Sequence, residues 1–98
     1  MEVRYTGTVL TQPTYFSSRH SHRTHEQFDV RADDGSTFRV IDNVSIAPRV
    51  PAHPGDRVSV QGELIHARGK QAMVHWTHHD PGRRHVDGFV ELNGRLYA

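Results

Sequence analysis

Gly55-Asp56-Arg57-Val58-Ser59-Val60-Gln61-Gly62-Glu63-Leu64 is the stretch that decides the fold. Val58, Val60 and Leu64 share one parity, and Arg57, Ser59, Gln61 and Glu63 share the other, which is the two-residue period of a strand with one face buried. Gly55-Asp56 supplies the turn that opens the strand. Gly62 takes an inward place between Val60 and Leu64, where a residue without Cβ permits a sharp coil or a bulge. Such a strand belongs in a small barrel that curls on itself.

The rest of the chain repeats this pattern. Glu2 to Leu10 alternates Val3, Tyr5, Gly7 and Val9 against Glu2, Arg4, Thr6 and Thr8, with Gly7 as a second coiling point. Thr11 to Thr24 is polar and reads as a long exposed loop. In the second strand Phe28, Val30 and Ala32 face inward and His25, Gln27, Asp29 and Arg31 outward. Asp33-Asp34-Gly35 turns it into a third strand from Ser36 to Asp42. Pro48, Pro51 and Pro54 then break the pattern, with a short helical turn expected over Val44 to Ala47. Arg68-Gly69-Lys70 links the fourth strand to a fifth, in which Ala72, Val74 and Trp76 are expected inward and Met73, His75 and Thr77 outward. Phe89 to Leu92, Asn93-Gly94 and Arg95 to Tyr97 form a terminal hairpin. Phe28, Phe38, Trp76 and Phe89 are the expected aromatic core.

A chain of 98 residues is one domain with a single modest core. Five principal strands, with a helical or irregular connector between the third and fourth and a C-terminal hairpin, match an oligonucleotide/oligosaccharide-binding barrel (OB-fold). The fold class expected is therefore all-β, a small five-stranded OB-fold-like barrel spanning residues 1–98.

Eleven of the twelve basic residues are Arg, and the formal net charge is +1 with histidine neutral. Arg suits bidentate contacts to phosphate or carboxylate, although a GC-rich genome produces the same bias. With nine histidines, the positive charge climbs below about pH 6 and acidic partners are then held more strongly. The absence of cysteine excludes disulfides and thiolate metal sites. No segment approaches the roughly 20 apolar residues of a membrane span, and Met1 to Tyr5 does not begin a secretory leader. A cytoplasmic monomer or homodimer with no membrane partner is expected.

Residues 75 to 85, His75-Trp76-Thr77-His78-His79-Asp80-Pro81-Gly82-Arg83-Arg84-His85, hold four of the nine histidines. They sit where a strand hands over to a Pro-Gly turn, a usual place for binding or catalytic groups. This phrase, followed by Gly88-Phe89, with Ile46-Ala47-Pro48-Arg49 upstream and Tyr97 near the end, resembles the bacterial domain-of-unknown-function family 3465 over roughly Thr24 to Tyr97. The resemblance implies a small barrel similar to nucleic-acid-binding folds and implies no particular activity. The chain departs from the family pattern at Thr24-His25-Glu26, where Arg-His-Gln is usual, and at Ile41-Asp42-Asn43, where His-Asn-Ile is usual.

Three chemistries compete for the segment. In the first, His75, His79, His85 and Asp80 hold a divalent metal, Zn²⁺, Mn²⁺, Fe²⁺ or Mg²⁺; against it, Asp80 and Thr77 simply cap the turn. In the second, histidines serve as general base and acid on a phosphodiester, Thr77 and Asp80 complete the set, and Arg83 or Arg84 offsets charge on the phosphate, with Arg49 and His25 as further ligand contacts. In the third, Arg31, Arg39, Arg57, Tyr15 and Phe16 form a basic, stacking surface for single-stranded nucleic acid without any reaction. The preferred expectation is nucleic-acid hydrolysis, as a nuclease or phosphodiesterase, centred on His75 with His79 or His85. The alternative is a non-catalytic nucleic-acid-binding module, and His78 is read as structural.

Overall fold

A computed structural model describes residues 1–66, 69 and 71–98. Its strands are β1 (Glu2–Val9), β2 (Thr14–Ser17), β3 (Thr24–Ala32), β4 (Thr37–Asn43), β5 (Arg57–Ile65), β6 (Met73–His75), β7 (Phe89–Leu92) and β8 (Arg95–Tyr97). β1, β3, β4, β6 and β5 pair in that order and β5 returns to β1, which closes a five-stranded, OB-like barrel. Alternation builds its interior: Phe28 and Val30 from β3, Phe38 and Val40 from β4, Val58 and Val60 from β5 and Val74 from β6 are all buried. Tyr5 packs its ring 4.9 Å from that of Phe38 at one end of this core.

The Asp33-Asp34-Gly35 turn forms as expected, with Gly35 at a φ of 92° and Asp34 Oδ1 accepting the Ser36 N–H at 2.8 Å. Asn93-Gly94 turns β7 into β8 with φ values of 50° and 86°. The connector after β4 carries the single turn expected over Val44 to Ala47: the N–H groups of Ile46 and Ala47 both donate to Asn43 O, and the prolines prevent propagation into a helix. Of the Arg68-Gly69-Lys70 turn, only Gly69 lies within the described residues.

Three local expectations change. The supposed loop before β3 contains β2, which runs antiparallel to β3 with Tyr15 opposite Glu26. Every β2 side chain is exposed, so backbone bonding forms this strand without the alternation a sequence reveals. Phe89 is half-buried and lies under the Arg4 guanidinium at 5.2 Å rather than in the core. Trp76 is 41 % exposed and Thr77 is fully buried, the reverse of the expected alternation. The cause is the backbone at Trp76, whose φ of 56° is left-handed and turns the chain out of the strand.

That turn begins the feature that positions the site. β6 and β7 lie along the same edge of β5, with His75 opposite Glu63 and Phe89 opposite Gln61. Residues 76–88 therefore leave and re-enter the sheet across Gly62, as a compact Ω-loop with a closed neck. A Cβ on Gly62 would meet the His75 carbonyl oxygen and sit 2.9 Å from Thr77 Cγ2; one on Gly88 would meet the Trp76 carbonyl and sit 2.6 Å from that of Gln61. Gly88 N–H donates to His78 O at 2.9 Å, and Gln61 Nε2 donates to Asp87 O at 3.0 Å, which ties the two sides of the neck.

Gly62→Ala and Gly88→Ala are each expected to destabilise the protein by about 2 kcal/mol or more, on the order of 10 °C in Tm. Leu96→Ala, at a position 58 % exposed, should stay within about 0.5 kcal/mol of wild type. Thermal unfolding of all three by circular dichroism checks this, and glycine variants melting at the wild-type temperature would refute the neck.

Candidate functional site

Inside the Ω-loop, Asp80 organises the backbone. Its Oδ1 accepts the Gly82 N–H at 2.9 Å, and its Oδ2 accepts the N–H of Arg84 and, at 2.6 Å, that of His85. The Asp80 N–H in turn donates to Asp87 Oδ1 at 2.8 Å. Burial opposes ionisation of Asp80, but these backbone donors, with His85 alongside, hold its carboxyl below the usual range. The turn-capping role weighed for Asp80 in the sequence is thus realised, and Arg83 reverses the chain at a φ of 53°.

The loop carries its rings in a stack. Trp76 lies 4.5 Å from the His75 ring at 22° and 4.6 Å from the His85 ring at 13°, and His78 meets His85 edge-on at 5.4 Å. His78 is only 5 % exposed. Burial pushes the pKa of both His75 and His78 down from 6.5, so both rings are neutral at pH 7. His85 Nε2 lies 3.9 Å from Asp80 Oδ2.

Opposite this stack stand the outer faces of β3 and β4. His25 and Asn43 are cross-strand partners there, and the His25 ring stacks on Phe16 of β2 at 5.5 Å. Between the two walls runs a cleft of about 310 Å³ lined by Ser21, His25, Ile41, Asn43, Ile46, His75, Trp76, His78, Asp80, Pro81 and His85. The histidine loop therefore reaches the face on which OB-folds bind their ligands. A second cleft of about 270 Å³ shares Trp76 and His85 and is lined also by Gly62, Arg84, Val86, Glu2 and Glu63.

Of the residues singled out in the sequence, His75, His85, Asp80 and His25 share the first cleft. Arg84 lines the second. His79 is exposed and lines neither, Thr77 is buried beneath the loop, and Arg83 is an exposed turn residue. Arg49 sits over the Tyr15 ring at 4.6 Å. His78, read as structural, is both buried and part of the cleft wall. Arg39 and Arg57, proposed as a basic surface, are engaged by Asp29 at 2.9 Å and Asp33 at 2.7 Å. Among the described residues, no three His, Asp or Glu side chains are arranged to hold a metal ion.

Sequence reading missed a buried acidic layer under the cleft. Glu26 and Asp42 are cross-strand partners on the inner faces of β3 and β4, and both are fully buried. Glu26 accepts the Tyr15 hydroxyl at 2.6 Å and the Val50 N–H at 2.9 Å. Asp42 Oδ1 accepts the Thr77 hydroxyl at 3.1 Å, while its Oδ2 has no partner among the described residues. Burial, with the neighbouring Glu26 carboxylate, raises Asp42 to about 7 against the Thr77 hydrogen bond; burial also raises Glu26, and burial with the Glu26 contact raises Tyr15 to about 12. The signal was present in the alternation: Glu26 shares parity with Phe28 and Val30, and Asp42 with Phe38 and Val40.

Residues 3–98 match the family described as "Protein of unknown function (DUF3465)". No curated protein and no solved structure matches the chain. No helix among the described residues is long and apolar enough to cross a membrane.

The acidic layer makes stability depend on pH with a defined sign. The folded state binds the Asp42 proton more tightly than the unfolded chain, so the contribution of Asp42 falls as pH rises from about 4 to about 7 and is constant above. Asp42→Asn should therefore match wild type near pH 4 and exceed it by about 2–4 kcal/mol above pH 7. Chemical denaturation of both proteins across that range measures the gap, and a gap independent of pH would contradict this assignment.

Proposed function

Since the chain belongs to this family, whose description carries no activity, we propose from its geometry that it is an OB-type module that binds single-stranded nucleic acid, with an unstacked base held in the cleft beside Trp76. The observation that carries this reading is the meeting of the His75–Trp76–His85 ring stack with the outer faces of β3 and β4. Aromatic and imidazole rings on the ligand face of such a barrel extend readily by stacking, worth about 1–3 kcal/mol per base. Among the described residues no Arg or Lys lines the cleft, and two of its histidines are neutral at pH 7, so it suits a base better than a phosphate. Arg84 lines the adjoining cleft that shares Trp76 and His85, and it is the cation this reading assigns to the phosphate of that nucleotide.

One observation favours phosphodiester hydrolysis as a second reading. His25 faces His75, His78 and His85 across a single cleft, so imidazoles from two walls are available as general base and acid, and Asp80 adjoins His85. Among the described residues no guanidinium lines the cleft to offset charge on a phosphate there, which ranks hydrolysis behind binding.

Trp76 is the chain's single tryptophan, so its emission reports the site. Titration with a mixed-sequence single strand of about 12 nucleotides should quench it, whereas a duplex of the same sequence should not. Trp76→Ala, followed by anisotropy of a labelled strand, should lose about tenfold or more in affinity. The salt dependence should be shallow, with a log–log slope smaller in magnitude than about 2, because few phosphates are neutralised. Absence of single-strand binding at low salt would overturn the proposal. Incubating the labelled strand with EDTA or with Mn²⁺ tests hydrolysis, which intact strand under both conditions would exclude.

A further inference from the structure

Three histidines of the cleft have one ring nitrogen tied to a main-chain carbonyl. His25 Nδ1 lies 3.0 Å from Arg23 O, His78 Nδ1 2.6 Å from His79 O and His85 Nδ1 2.8 Å from Val86 O. A carbonyl oxygen can only accept, so each Nδ1 must carry the proton and donate. In the neutral ring the other nitrogen, Nε2, is then an acceptor. For His85 that nitrogen faces the Asp80 carboxylate; for His25 and His78, on opposite walls, it has no carboxylate partner. Both Asp80 oxygens are occupied by backbone N–H groups. Donors line the same cleft, among them the Trp76 indole N–H and the Asn43 amide, whose Oδ1 accepts the Ser45 N–H at 3.0 Å and whose hydrogens have no partner among the described residues.

We infer that the cleft selects a base bearing an exocyclic amino group, cytosine or adenine, over uracil or thymine. The selection rests on the single-strand reading above and adds a sequence preference to it. Two acceptors from opposite walls are met by the two hydrogens of an amino group. The neighbouring ring nitrogen of cytosine or adenine then accepts from Asn43. Uracil offers a single imide N–H between two carbonyl oxygens, so one imidazole acceptor is left facing an oxygen lone pair. Leaving a shielded polar group unmatched is the usual origin of such discrimination.

The experiment compares oligo(dC), oligo(dA) and oligo(dU) of equal length by anisotropy at pH 7.5. Oligo(dC) and oligo(dA) should bind about tenfold more tightly than oligo(dU). His25→Phe keeps a ring against Phe16 but removes the acceptor, and should reduce the dC-to-dU ratio at least threefold. Equal affinity for dC and dU overturns the inference while leaving single-strand binding standing, as does an unchanged ratio in His25→Phe. If neither the strands nor cytidine monophosphate bind, both readings are overturned. Cytidine monophosphate is titrated in parallel: if it binds while the strands do not, and uridine monophosphate does not, the amino selection holds and the ligand is the free nucleotide.

Discussion

Two glycines in contact with carbonyl groups set the geometry of everything functional in this barrel. Gly62 and Gly88 let the chain leave β6 and enter β7 across one residue of β5, so the excursion at 76–88 is pinched at its base. A pinched loop has little freedom left at its ends. Its first residue, Trp76, is driven into a left-handed conformation that costs a bulky residue about 1–2 kcal/mol. Backbone held against its preference in this way is a common mark of a site whose surroundings over-determine it. Here the result is an indole turned out of the core and stacked on two imidazoles.

The loop is anchored on its inner side by polar contacts rather than by an apolar core. Thr77 reaches down to Asp42, and Asp42 lies beside Glu26 on the barrel's inner wall. Tyr15 and the Val50 backbone satisfy Glu26, which connects β2 and the proline-rich connector to the same layer. Two adjacent buried carboxylates resist carrying two charges, because desolvation and their mutual repulsion both favour the protonated form. The floor beneath the cleft is thus linked by hydrogen bonds to the loop above it, and the protonation of Asp42 changes the strength of that link.

The charged groups around the cleft are engaged by partners of their own. Arg39 and Arg57 are engaged by aspartates on neighbouring elements, and Asp80 spends its oxygens on the loop backbone. Among the described residues the cleft is lined largely by rings, three of them imidazoles whose tautomer a main-chain carbonyl fixes, beside the Asn43 amide. On the reading proposed above, such a surface takes a planar heterocycle in preference to a phosphate, in contrast to arginine-lined faces on which phosphate contacts dominate affinity.

By itself the sequence determined the strands other than β2, the hairpins at Gly35 and Gly94, the coiling positions Gly7 and Gly62, and the segment that bears the histidines, because each follows from a period of two or from a residue with one permitted backbone role. Only the tertiary structure decided which side chains share the cleft. β2 carries no alternation, so its place against β3 was invisible, and with it the stacking of Phe16 on His25. The outward Trp76 and buried Thr77 depend on one left-handed residue, which an alternation rule reads as its opposite. His25 joins His75, His78 and His85 because β4 pairs with β6 and brings the loop beside the β3 face, and no local pattern records a contact between residues fifty positions apart.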